Sequence, residues 1–153
     1  RIRNEDAAYL TDSGTPCISD PGSRLVSHAR DAGIRVIPIP GPSALTAAAS
    51  VTGFAGKNIT FGGFISKKPG RRLGELEDFR DFEGTVIIYE SPHRITKTLA
   101  AIAEVYPDAR ITLCRELTKI HEEIITGTAT ELARPGAVTE KGEFVIAIEN
   151  RPS

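Results

Sequence analysis

Residues 12–22, DSGTPCISDPG, gather two Gly, two Pro, two Asp, two Ser and a Thr directly after an apolar run. Such a composition shapes a loop, whereas a slack linker would lack the periodic flanks. Gly14 and Gly22 let the backbone take positive φ or approach a ligand, Pro16 and Pro21 fix φ near −65°, and hydroxyls and carboxylates offer polar contacts. A second bend, PGPSA at 40–44, repeats the pattern. Both fit a ligand gripped through main-chain atoms. Taken alone they equally fit tight connections ahead of capped helices, with Ser43 as an N-cap. Neither carries the GxxxxGK[ST] of a phosphate loop or the GxGxxG of a dinucleotide fingerprint, which argues against a nucleoside triphosphate or NAD.

Titratable groups cluster just after two strand-like runs. YESPHR at 89–94 carries Glu90, His93 and Arg94; RELTK at 115–119 carries Arg115, Glu116 and Lys119. At strand ends such groups serve acid–base chemistry or substrate binding. Each also has an ordinary reading. Glu90 pairs with Arg94 or Arg115 as a bridge, His93 faces solvent, and Lys119 is a solvated loop lysine. Arg115 and Glu116 are adjacent and would point to opposite sides of a continuing strand. A third cluster, SKKPGRR at 66–72, sets Lys67, Lys68, Arg71 and Arg72 around a Pro-Gly turn. It is a solvated loop or a clamp for phosphates.

The elements that must position these groups follow from periodicity. Ala7–Leu10 reads as a buried strand delivering the first loop, and a helix follows from Asp20-Pro21, with Leu25, Val26, Ala29 and Ala32 at helical spacing up to Gly33. IRVIPI at 34–39 is β-rich, and 44–51 is a thin Ala-rich helix stopped by Gly53. In such units ligands sit beyond the carboxyl ends of strands, where both loops fall. The pattern resets at 54–57, which divides the chain into residues 1–56, the later part of an α/β domain with a partial parallel sheet, and 57–153, a second α/β domain. In the latter, strands are expected over 58–65 (with a bend or bulge at its Gly pair), 85–90, 110–114, 122–127 and 142–150. Helices are expected over 73–82, after Ser91-Pro92, and over 128–134. Hairpin-like spacing toward the end predicts a mixed sheet.

Composition bounds the partners. Nineteen Lys and Arg against twenty Asp and Glu leave a net charge of −1, so any RNA contact must be a local patch. Cys17 and Cys114 lack metal or redox spacing and read as free thiols of a reducing, cytoplasmic compartment; no metal site is expected. No apolar run reaches a membrane span. The chain holds no Met and opens almost directly on a strand, so it reads as a piece of a longer protein.

The ordered motifs DSGTPCISDPG, PGPSA, YESPHR and RELTK with HEE at 121–123 together resemble the tetrapyrrole methylase superfamily, and within it the branch that methylates small-subunit ribosomal RNA. Ser13 and Cys17 depart from the usual wording, where Ala and an aliphatic residue are common. The resemblance implies a two-domain fold, a homodimer, and a further strand and Gly-rich loop before residue 1, with an extension after Ser153. S-adenosylmethionine is the implied cofactor, contacted by Asp12, Gly14, Thr15, Pro16, Ile18, Ser43 and Ala44. The implied reaction is methylation of a cytidine ribose 2′-hydroxyl, with Glu90, Arg94, Glu116 and Lys119 on the substrate side. Lys67, Lys68, Arg71 and Arg72 become candidates for the RNA backbone. Two alternatives stay open: a methylase of the superfamily acting on a tetrapyrrole-type small molecule, and a non-catalytic RNA-binding domain.

Overall fold

TVIIYE and FVIAIE are apolar on both faces of a strand, which requires cover above and below. In the computed structural model, which describes residues 5–54 and 57–150, they are β2 (Gly84–Glu90) and β5 (Phe144–Asn150), neighbours within a five-stranded sheet. The others are β1 (Ile59–Phe64), β3 (Arg110–Arg115) and β4 (Glu123–Thr128), in the order β1-β2-β5-β3-β4. The β1–β2 pair is parallel and the other three pairs are antiparallel, the mixed sheet that the spacing predicts.

Side-chain alternation sorts the strands between two layers. Val86, Ile88, Ile111, Leu113, Phe144, Ile146 and Ile148 face a core shared with α3 (Pro69–Glu77), α4 (Ile95–Val105) and α5 (Ala129–Leu132). Ile87, Cys114, Val145 and Ala147 face α2 (Ala44–Val51), whose Ala48 is fully buried. The small side chains of α2 allow this close approach. Burial also pushes the Cys114 thiol up to about 11; Cys17 is exposed and both cysteines are free.

Two compact units divide between Ser43 and Ala44. The division falls before α2, which packs on the sheet of the second unit; of the expected boundary at 54–57, residues 55 and 56 lie outside the described residues. The first unit holds α1 (Ser23–Asp31), N-capped by Gly22 and closed at Gly33, where Gly33 N–H donates to Arg30 O and Ile34 N–H to Ala29 O. The helix starts past Pro21, beyond the expected Asp20-Pro21 opening. The runs at 7–10 and 34–39 are not strands. Among the described residues neither pairs with a second strand, and Leu10 and Ile39 stand 78% and 81% exposed. An apolar, β-rich sequence becomes a strand only beside another backbone.

Helix α3 begins at Pro69, earlier than periodicity alone predicts, and 78–82 continues in tight turns. Proline suits the first helical position, so the expected Pro-Gly turn becomes a helix start. The expected irregularity of β1 is present, a register shift between Phe61 and Gly63. Asn150 closes the far end of β5, its side-chain N–H₂ shared among the carbonyls of Phe79, Arg80 and Phe82 at 2.7, 3.2 and 2.5 Å. Asn150→Ala leaves those acceptors without a donor and lowers stability by about 1–3 kcal/mol, read by urea denaturation.

Candidate functional site

Within the first unit the two Gly-Pro bends meet. The Thr15 hydroxyl donates to Pro42 O at 2.9 Å, and a Cβ on Gly14 would stand 3.9 Å from that same oxygen. Gly14 has φ +71°, and Cys17 and Ser19, neither a glycine, are also left-handed at 70° and 56°. Sparsely populated backbone of this kind persists where surroundings impose it and concentrates at ligand clamps. The loop is tied by Thr11 Oγ1 to Ser13 O and Gly14 O, and by Ile18 N–H to Thr15 O. Behind it, Gly22 is compelled: a Cβ there would lie 2.8 Å from the Tyr9 ring and 3.0 Å from Cys17 Sγ. Asp12, Gly14 and Ile18 are exposed, while Thr15, Pro16 and Ser43 are half-buried. Exposed apolar Ile18, with a glycine and accepting main-chain carbonyls in the same loop, suits a nucleoside carrying a sulfonium. Ala44 is the first residue of α2 in the second unit, where Leu45 N–H donates to Tyr89 Oη at 3.0 Å.

The second unit carries the titratable candidates at one end of its sheet. Glu90 and Arg115 both pair in register with Phe144, from opposite sides of β5. Two strand spacings separate them, about 10 Å. They form two clusters, not one. Glu90 has no exposed side-chain surface. Its Oε1 accepts from Ser91 N–H at 2.7 Å and from Arg94 Nε at 2.6 Å, and its Oε2 accepts from Thr98 Oγ1 at 2.6 Å. Arg94 also donates to Ile65 O, beyond the end of β1. So Glu90 forms the bridge to Arg94, joining β2, α4 and the end of β1. A carboxylate so enclosed holds Arg94, whose side chain is 15% exposed.

In the other cluster Lys119 Nζ donates to Glu116 Oε1 at 3.0 Å and to Glu143 Oε2 at 2.8 Å, while Glu143 N–H donates to Glu116 Oε1 at 2.7 Å. Glu116 and Thr118 are left-handed, at φ 51° and 66°. Glycine is required at 142, where a Cβ would meet the Glu116 side chain at 2.5 Å. The Glu143 N–H, and after it Lys119, holds the Glu116 carboxyl below its ordinary 4.5; Glu143 and then Glu116 hold the Lys119 ammonium above its ordinary 10.5. Near neutrality both are ionised, which suits charge–charge binding and disfavours either as a proton acceptor. As expected from adjacency, Arg115 turns elsewhere, donating to Glu123 at 2.8 Å and to Lys141 O.

The basic segment is a braced platform. Arg72, buried, donates to Ser66 O and Lys67 O, each at 3.1 Å, and is not available to a phosphate. Ser66 N–H donates to Glu75 and Lys68 N–H to Ser66 Oγ; Arg71 pairs with Glu75 at 2.8 Å but keeps 74% of its side chain exposed. Lys67 and Lys68 are exposed on this rigid turn. Sequence reasoning did not single out Thr98, Glu143 or Phe64. Thr98 left a signal, a polar residue inside the apolar stripe Ile95, Leu99, Ile102. Glu143 left none, because its contact depends on how two loops meet. Among the described residues no helix is long and apolar enough to cross a membrane, and no group of three His, Cys, Asp or Glu is placed to hold a metal ion.

The chain belongs to the tetrapyrrole (corrin/porphyrin) methylase family, whose model matches residues 2–133. It is 41% identical over 152 residues to the ribosomal RNA small subunit methyltransferase I of Leptospira biflexa (97% of this chain, 62% of that protein). It is 46% identical over 152 residues to the protein of the same name from Xylella fastidiosa (97% and 56%). The chain thus spans little more than half the length of these relatives. Its α/β fold is that of the family's solved structures. The methyltransferase CobJ superposes with a TM-score of 0.66 at 21% identity, covering 91% of this chain and 62% of that one. Uroporphyrin-III C-methyltransferase from Thermus thermophilus, complexed with S-adenosylhomocysteine, gives 0.57 at 18% (88% and 62%).

Arg94→Ala leaves the Glu90 charge buried without its cation and should cost about 3 kcal/mol in chemical denaturation. The acid limb of stability tests Glu116. Its folded value is lowered, so its contribution is complete above 4.5 and lost as pH falls through the lowered value. Glu116→Gln should therefore lose less stability than the parent over that fall.

Proposed function

We propose that the complete protein transfers the methyl group of S-adenosylmethionine to the 2′-hydroxyl of a cytidine ribose in small-subunit ribosomal RNA. The observation that carries the cofactor side is the contact between the two Gly-Pro bends, Thr15 Oγ1 to Pro42 O at 2.9 Å. The RNA side is supported by relatives named for that substrate, 38–46% identical over nearly the whole chain. An RNA substrate in ribosomal subunits would place the reaction in the cytoplasm.

S-adenosylmethionine supplies an electrophilic methyl carbon on a sulfonium. In the transfer the C–S bond breaks as the C–O bond forms, the sulfur keeps the bonding pair as a neutral thioether, and the hydroxyl proton leaves to solvent. Asp12, Gly14, Thr15, Pro16, Ile18, Ser43 and Ala44 hold the donor, mainly through main-chain groups. Arg94, Glu116 and Lys119 hold the substrate end, with Glu90 fixing Arg94. Orientation supplies most of the acceleration, since in-line alignment at about 3 Å is the chief requirement and neither Glu116 nor Lys119 is poised as a base. Lys67, Lys68 and Arg71 bind RNA phosphates, and Arg72 keeps their turn rigid.

The decisive assay offers the complete protein small ribosomal subunits and porphyrinoid substrates with a labelled methyl donor. Label in the ribosomal RNA at a ribose is expected; label in the porphyrinoid alone contradicts the proposal. Lys67→Glu with Lys68→Glu should weaken RNA binding and make the salt dependence shallower by about 1.4 in log–log slope, about 0.7 for each phosphate no longer neutralised. Cofactor affinity should stay unchanged.

A further inference from the structure

The one large aromatic ring left open among the described residues beside the Lys67–Lys68 turn is Phe64, 54% exposed at the end of β1. Its position depends on the irregularity in that strand. In an unbroken strand Phe61 and Phe64, three apart, would face opposite sides of the sheet. The register shift between Phe61 and Gly63 inserts one residue and brings both rings to the same side. There both pack edge-on against Tyr89, with ring centroids 4.8 Å away for Phe61 and 5.8 Å for Phe64. Gly62 permits the crowding, since a Cβ would press on Ile88 and Phe79 at 3.0 and 3.1 Å. Tyr89 is in turn fixed through its hydroxyl to Leu45 N–H at the start of α2. Phe64 is thus braced along one edge and open to solvent.

Exposing a braced apolar ring runs against burial, and a local departure from regular structure that achieves it points to a ligand. The chemistry next to it names the class. Three residues on, Lys67 begins the exposed basic turn, at most about 11 Å away along the chain. A π-face with cations within one nucleotide's reach matches an unstacked base and its flanking phosphates, the arrangement that recurs in single-stranded RNA recognition. We infer that Phe64 is the stacking platform for an unpaired RNA base adjacent to the phosphates held by Lys67 and Lys68, making it a substrate-binding residue. The inference rests on the proposed RNA substrate and adds the contact that reads an unpaired nucleotide, without choosing among bases.

The test uses the complete protein and small ribosomal subunits. Phe64→Ala should raise KM for the subunits by about 5- to 100-fold, with kcat and the KM for the methyl donor within about 2-fold of the parent. Phe64→Trp should retain the parental KM, and Phe64→Leu should behave like Phe64→Ala. An unchanged KM in Phe64→Ala, a full rescue by Leu, or a loss confined to kcat would overturn the inference. Binding of a fluorescent single-stranded oligoribonucleotide separates this failure from failure of the proposed reaction. If the parent methylates no ribosomal subunit, the reaction is refuted while a 5-fold or greater loss of oligonucleotide affinity in Phe64→Ala still upholds stacking. Equal affinity of parent and Phe64→Ala, or no binding by the parent, overturns stacking.

Discussion

A carboxylate with no exposed surface must have its charge met inside the fold, and the second unit is arranged around meeting the charge of Glu90. Three donors meet it from two elements: Ser91 N–H and Arg94 from the turn after β2, and Thr98 from inside α4. Arg94 carries the connection on to Ile65 O past the end of β1. Removal of any donor exposes part of a desolvated charge to an apolar core, so these elements stay in register at the end of the sheet where the candidate groups sit. The YESPHR motif is in this light a splice between strand and helix, and its one solvent-reaching charge in the bridge is Arg94.

Around that splice the sheet end presents a graded surface. Ion-paired Glu116, Lys119 and Glu143 occupy the β3 side. Tyr89 and Phe64 occupy the β1–β2 side, followed by the braced basic turn. Neither Glu116 nor Lys119 is tuned toward proton transfer near neutral pH: Glu143, and after it their mutual bond, holds the carboxyl down and the ammonium up. The first unit contributes a different kind of chemistry, main-chain atoms held in left-handed conformations at Gly14, Cys17 and Ser19 and linked across to Pro42.

Much of this was legible in the sequence where local rules and tertiary packing agree. All five strands of the second unit fall within a few residues of the expected places, since TVIIYE and FVIAIE are apolar enough to admit no other reading. The Ala-rich 44–51 helix and its stop at Gly53 follow from propensity and from the αL preference of glycine. Tertiary pairing was the limit elsewhere. Residues 7–10 and 34–39 have strand composition yet no neighbour to pair with among the described residues, and 66–72 looked like a charged loop until Pro69 opened a helix and Arg72 turned inward. The candidate site was legible as a set of loops, and the division of labour within it was not. That Glu90 is sealed by Thr98, eight residues on, depends on the depth at which α4 packs, which no spacing reports.

Backbone amide exchange of the complete protein, with and without S-adenosylhomocysteine, is the most direct test that the two Gly-Pro bends form one methyl-donor cradle. Slowed exchange confined mainly to amides of residues 12–19 and 42–45 is the predicted result. Ligand-induced protection elsewhere, with both bends exchanging as in the free protein, would contradict it.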